Sequence, residues 1–220
     1  MKKIIFALCL GCSMAAQAQN LRWGVKAGLN INDPSGNYNG GPETHYGPAA
    51  GIKGEFAFKD AAKGLYVMAG LEWSQKGYKS PIFSTDGVND IKGEAFRENI
   101  SVNYLEMPLH IGYKIPCSGR ISILGEAGPY IAYAAWGKET LNHPDYESYN
   151  TSRIFGDGGF KRFDTGIGLN IGIQIDRHYQ IMAGYERGFV NQVKNDKSDP
   201  AFSKATYRNN NFNFTVAYIF

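Results

Sequence analysis

The stretch Asn209–Phe220 reads Asn-Asn-Asn-Phe-Asn-Phe-Thr-Val-Ala-Tyr-Ile-Phe and decides the architecture. Phe212, Phe214, Val216, Tyr218 and Phe220 share one parity, and Asn211, Asn213, Thr215 and Ala217 take the other. A repeat of two residues is strand periodicity. A chain ending on such a strand has nothing left to cover its apolar face. In water that strand would be an aggregation-prone edge. In lipid it is the expected last stave of a closed barrel, because a closed ring leaves no backbone group unpaired.

Working back from the end, seven more alternating segments precede it. Leu21–Ile31 sets Leu21, Trp23, Val25, Ala27, Leu29 and Ile31 against Arg22, Gly24, Lys26, Gly28 and Asn30. Tyr46–Phe58, Leu65–Trp73, Tyr104–Ile115, Ile121–Ala135, Phe163–Ile175 and Tyr179–Phe189 follow the same rule. Phe163–Ile175 is the cleanest, with Ile167, Leu169, Ile171 and Ile173 on one face and Gly168, Asn170 and Gly172 on the other. Ile100 and Val102 break the parity of the Tyr104–Ile115 segment, which points to a bulge near Asn103.

The spacing of these segments carries the topology. Lys59–Gly64, Pro116–Arg120 and Asp176–His178 are short turns. Asn32–His45, Lys79–Asn103, Trp136–Arg162 and Val190–Arg208 are long and polar. Strict short–long alternation puts all turns at one end and all loops at the other. Outer-membrane barrels do this, with turns in the periplasm and loops outside. Aromatics of outward parity fall in two groups: Trp23, Phe56, Phe58, Tyr113, Tyr179, Tyr218 and Phe220 near the turns, and Tyr46, Trp73, Tyr133, Phe163, Phe189 and Phe212 near the loops. Two such girdles mark two lipid–water interfaces. A soluble barrel would point its apolar parity inward.

The N-terminus adds an export signal. Lys2 and Lys3 precede the apolar run Ile4–Met14, and Ala16-Gln17-Ala18 fits a signal-peptidase site. The expected division is residues 1–18 as signal peptide and 19–220 as barrel domain. Lipoprotein processing at Cys12 is the weaker alternative, since Cys9-Leu10-Gly11 is a poor lipobox. Cys9 and Cys12 leave with the leader, so Cys117 stands alone in a turn as a spare thiol and intramolecular disulfides are excluded. Taking Lys2 and Lys3 from 23 bases leaves 21 against 20 acids, a balance that gives no reason to expect a nucleic-acid partner. Mean hydropathy is −0.33, and after Ala18 no apolar run approaches the roughly 20 residues of a membrane helix.

Particular segments also resemble a family. Leu71-Glu72-Trp73-Ser74-Gln75-Lys76-Gly77, Tyr104-Leu105-Glu106-Met107-Pro108-Leu109, Gly128-Pro129-Tyr130 and Asp164-x-Gly166-x-Gly168 resemble the PorT-like outer-membrane barrels of Bacteroidota. Trp73 stands where that family has Tyr, and Met107 where it has Ile. The resemblance spans the mature chain and implies an all-β, eight-stranded, antiparallel up-and-down transmembrane barrel. Most members lack an assigned activity.

The inward parity holds the candidate chemistry: Arg22, Lys26, Lys53, Glu55, Glu72, Lys76, Glu106, Lys114, Glu126, Asp164 and Glu186. An eight-stranded barrel is just wide enough for side chains to fill it. Charges there must pair or stay hydrated, so the favoured reading is an interlocked salt-bridge core, and an ion-selective pore is the alternative. Gly166–Gly172 imitates a nucleotide loop but opens no helix, so it cannot cradle phosphate. His45, His110, His143 and His178 lack metal spacing. His45 or His143 at the rim would suit an outer-membrane enzyme, but no nucleophile motif accompanies them. Asp86–Asp90 and Asp157–Gly159 lack the geometry of an EF-hand. Arg187, outward at the loop end, would meet lipid phosphate or simply snorkel.

The expectation is therefore a monomeric, non-enzymatic outer-membrane barrel, its loops serving adhesion, binding or envelope integrity and its partners being lipid and lipopolysaccharide. A narrow porin-like channel is the first alternative, ahead of a rim enzyme and a soluble lipocalin-like binder. No cofactor or metal is expected. The outward Phe214, Tyr218 and Phe220 resemble the signal read by the barrel-assembly machinery.

Overall fold

The computed structural model describes residues 20–37, 42–80, 83–84, 95–142, 148–155, 159–194 and 204–220. The leader with its cleavage point at Ala18, the Asp86–Asp90 segment, Asp157 and His143 lie outside them. The strands are β1 (Leu21–Asn32), β2 (Ser35–Gly36), β3 (His45–Ala57), β4 (Gly64–Lys79), β5 (Phe83–Ser84), β6 (Ala95–Pro116), β7 (Ile121–Asn142), β8 (Tyr149–Thr151), β9 (Phe163–Ile175), β10 (Tyr179–Gly188), β11 (Tyr207–Arg208) and β12 (Asn210–Ile219). Eight of them form one antiparallel ring, β6-β4-β3-β1-β12-β10-β9-β7, shut by the β6–β7 pairing. Each of the eight pairs with its barrel neighbours along the chain, which is up-and-down topology.

Closure runs through the two terminal strands. β12 lies against β1 from Gly24↔Ile219 to Asn32↔Asn211 and against β10 on its other side. The alternation becomes an inside and an outside. Leu169, Ile171, Val216 and Phe214 are exposed on the outer wall, while Asn30, Glu55, Glu106 and Gln174 are buried. This inverts a soluble protein and is what lipid as solvent requires.

Turn chemistry fits the short end. In the three-residue β9–β10 turn both Asp176 (φ 50°) and Arg177 (φ 64°) are left-handed, and the His178 amide closes back on the Ile175 carbonyl at 3.0 Å. Arg120 from the neighbouring turn donates from Nε and from a terminal nitrogen to the two Asp176 carboxylate oxygens, each at 2.6 Å. That hydrogen-bonded guanidinium holds the Asp176 carboxyl below its usual range. Cys117 is free and exposed in the adjoining turn.

The loop end differs from expectation. Lys79–Asn103 and Trp136–Arg162 do not begin as loops: β4 runs to Lys79, β6 starts at Ala95, and β7 continues to Asn142 and pairs with β8. The expected bulge exists at Asn103/Tyr104 of the β6–β7 ladder, but Ala135 of β7 is the additional residue, since Asn103 faces Trp136 and Tyr104 faces Ala134. Arg162 donates to the Ala134 and Ala135 carbonyls at 2.8 and 3.1 Å, satisfying the disrupted ladder. β6 keeps its parity, so Ile100 and Val102 point inward and are buried. They are apolar because the barrel interior becomes apolar at that height.

Candidate functional site

The barrel interior collects the charged side chains of inward parity into two storeys. In the one nearer the turns, the Lys53 ammonium lies 2.9 Å from Glu126 and 3.1 Å from Glu55. Lys114 reaches Glu55 at 2.5 Å. Two groups overlooked in the sequence complete this storey. The Tyr66 hydroxyl donates to Glu126 at 2.8 Å, and the Gln180 amide donates to Glu55 at 2.8 Å. Their signal was only inward parity, shared with many silent positions.

The second storey centres on Lys76, whose ammonium lies 2.7 Å from Glu106 and 3.0 Å from Glu186. It also sits over the Tyr130 ring, 4.6 Å from the centroid. Lys26 reaches Glu72 at 2.5 Å. Asn211 donates to Glu186 at 3.2 Å and to Asn30 at 3.0 Å, which ties the cluster to the closing strand. Glu72, Glu106 and Glu186 each bring one oxygen within 4.8 Å of the others, a spacing a metal could use. The ammonium groups of Lys26 and Lys76 already supply the compensating positive charge there.

Between the storeys lies a cavity of about 20 Å³, lined among others by Lys26, Lys53, Met68, Pro108, Glu126, Asn170, Met182 and Thr215. That volume holds about one water molecule.

Two members of the expected network stand apart. Arg22 is half-buried at the periplasmic mouth and donates to the main-chain oxygens of Phe220 (3.2 Å) and Ile219 (3.4 Å). It ties β1 to the end of β12 through main-chain oxygens and reaches none of the buried carboxylates in the ion pairs of the described residues. Asp164 is held by hydrogen bonds from Asn209 (2.8 Å), the Thr165 amide (2.9 Å) and Tyr130 (3.3 Å). Its position on the cleanest alternating strand gave no hint of neutral partners.

Above the charges, sequence reasoning missed an apolar cap. Tyr78, Ile100, Val102, Tyr104 and Ala132 from the strands pack with Ile154, Phe160, Val193, Ala205 and Tyr207 from the extracellular segments. Tyr207 lies 5.2 Å from Tyr78 and 5.6 Å from Phe160, the latter edge-on. Segments that read as polar loops thus send apolar residues down into the mouth. Of the rim histidines, His45 is buried, with one ring nitrogen 3.4 Å from the Ser101 hydroxyl. No carboxylate orients that pair among the described residues.

Residues 4–220 match the outer membrane protein beta-barrel domain. The chain belongs to that family. It is an integral outer-membrane β-barrel, with buried salt bridges inside the ring. No curated protein matches it. Solved structures of similar shape include the attachment invasion locus protein Ail of Yersinia pestis, at 12% identity over 92% of this chain and 99% of that one, with a TM-score of 0.43. OprG of Pseudomonas aeruginosa matches at 11% identity over 92% and 97%, with a TM-score of 0.46. Neisserial surface protein A matches at 11% over 90% and 97%, with a TM-score of 0.41. The fold rests on the closed ring of pairings and the family match.

Proposed function

We propose that the protein is a monomeric, non-enzymatic outer-membrane barrel whose interior is a structural plug and whose extracellular segments act at the cell surface, in adhesion, ligand binding or envelope integrity. The observation that carries this reading is the filled interior: paired charges in two storeys, beneath an apolar cap. Arg22, Lys26, Lys53, Glu55, Glu72, Glu106, Glu126, Asp164 and Glu186 then serve to hold the wall rather than to pass ions. Lipid and lipopolysaccharide are the surroundings, and the barrel-assembly machinery is the partner in biogenesis, with Phe214, Tyr218 and Phe220 as its recognition end. Cleavage after Ala18 belongs to the same proposal. So does kinship with the PorT-like barrels, supported by Leu71–Gly77 and Tyr104–Leu109.

The competing reading is a narrow channel for small solutes. Planar-bilayer recording separates the two. The purified barrel is expected to give no resolvable single-channel current at moderate voltage. Steady unitary currents, present in the wild type and altered by Lys76→Met, would overturn the plug and favour the channel.

A further inference from the structure

The periplasmic end of the barrel carries a groove that the surface role does not use. It lies on the outer wall between the β3–β4 turn and the end of β6, and it encloses about 510 Å³, within the range of ligand pockets. Its origin is a mismatch in strand length. The β4–β6 ladder stops at Gly64↔Lys114, whereas Ile115 and Pro116 continue, paired with β7 only. The free flank of β6 therefore faces the turn across a gap. Gly64, at φ +86°, lines this gap, and a Cβ placed there would meet nothing within 4 Å.

The two parts of the lining differ in character. Phe58, Leu65, Tyr113 and Ile115 form an apolar wall at the height of the periplasmic aromatic girdle, and all four are exposed. At the edge stand Lys59 and Lys63, both exposed. The acid nearby is Asp60, and the turn itself employs it. One Asp60 oxygen accepts from the Ala62 amide at 2.8 Å, and the other is a loose 4.0 Å from Lys63. Lys59 has no ion-pair partner among the described residues. Two ammonium groups thus overhang an apolar groove where the headgroups of the periplasmic leaflet would lie.

We propose that this groove seats an anionic glycerophospholipid of the periplasmic leaflet. Lys59 and Lys63 hold the phosphate and acidic headgroup, while an acyl chain lies along Leu65, Tyr113 and Ile115. The charge pattern selects the class. A zwitterionic headgroup would bring its own ammonium against two lysines, and an anionic one would not. The pattern also selects the leaflet, since the groove opens at the turn end of the barrel.

The test is native mass spectrometry of the barrel released from nanodiscs of phosphatidylethanolamine and phosphatidylglycerol at three to one. Wild-type protein is expected to retain phosphatidylglycerol over phosphatidylethanolamine at a ratio several-fold above the bulk one. Lys59→Glu with Lys63→Glu should return the ratio to bulk, and Lys59→Arg with Lys63→Arg should keep it. Lys161→Glu, on the extracellular side, serves as the control and should also keep it. Both turn lysines are exposed, so the folded barrel should persist, checked by its migration in unboiled electrophoresis. If the charge swap fails to fold, Lys59→Gln with Lys63→Gln asks the same question. A wild-type ratio equal to bulk, or enrichment that survives the swap or the Gln pair, would overturn the proposal.

Discussion

Lys76 is the residue on which the second interior storey depends. It is buried, it contacts Glu106 and Glu186 within 3.0 Å, and it lies over the Tyr130 ring. Removing one member of a buried ion cluster leaves the others uncompensated, so Lys76→Met is expected to cost about 3–5 kcal/mol. Adding Glu106→Gln should recover part of that loss, because one of the two stranded charges goes with it. Urea unfolding in lipid or mild detergent measures both, and a Lys76→Met barrel as stable as wild type would show that the cluster is not tightly coupled. At the other end of the scale stands Arg177, a non-glycine residue at φ 64° in the β9–β10 turn. Its left-handed backbone is strained by its own Cβ, and Arg177→Gly should gain about 1 kcal/mol. Equilibrium unfolding checks this, with the Arg120–Asp176 contact left intact.

At the scale of the strand, inside and outside are one residue apart. Ile171 is 63% exposed on the lipid wall, while its neighbour Asn170 turns inward and reaches one nitrogen of His110 at 3.4 Å. Ile171→Arg near the midplane should cost about 2–4 kcal/mol, because the charge meets hydrocarbon. Asn170→Arg meets a crowded polar interior instead, where its cost depends on space and on the nearby carboxylates. Unfolding free energies of the two variants in the same bilayer test the wall, and equal, negligible costs would contradict it. This sharp alternation is also why β9 and β12 were legible from sequence almost to the residue. The outer reaches of β4, β6 and β7 were not. There both faces of the sheet leave hydrocarbon, so Asn99, Ser101, Lys138 and Thr140 no longer need to be apolar, and the period of two fades although the ladder continues. The interior charges were readable because charge at inward parity is unambiguous. Their neutral partners Tyr66, Gln180 and Asn209 were not, since only three-dimensional packing distinguishes a hydrogen-bonding tyrosine or amide from a filler.

For the whole molecule, the decisive contact is the pairing of its first and last barrel strands, β1 and β12. The Phe220 amide donates to the Trp23 carbonyl at 2.7 Å, Arg22 donates to the Phe220 main-chain oxygen at 3.2 Å, and Tyr218 and Phe220 pack edge-on at 5.3 Å. These contacts join the first and last strands of the ring at its turn end. Deleting Phe220 removes its amide's hydrogen bond to the Trp23 carbonyl, the Arg22 hydrogen bond to its main-chain oxygen and one exposed aromatic, while the Arg22 bond to Ile219 remains. Each net hydrogen bond is worth only about 1 kcal/mol, so losing both costs about 2 kcal/mol. The truncated barrel, once folded in detergent, should therefore unfold modestly below the wild-type midpoint. In cells, by contrast, the inserted fraction should fall severalfold if the terminal aromatic is read during assembly. Arg22→Gln separates the two roles. It weakens the terminal clasp but keeps Phe220, so it should lower stability slightly and leave insertion intact. Counting inserted protein in outer-membrane fractions beside unfolding midpoints measures each role independently. Normal insertion of the truncated chain would reduce the terminal Phe to one more girdle residue. A large stability loss with proportionate loss of insertion would make it a structural clasp and nothing else.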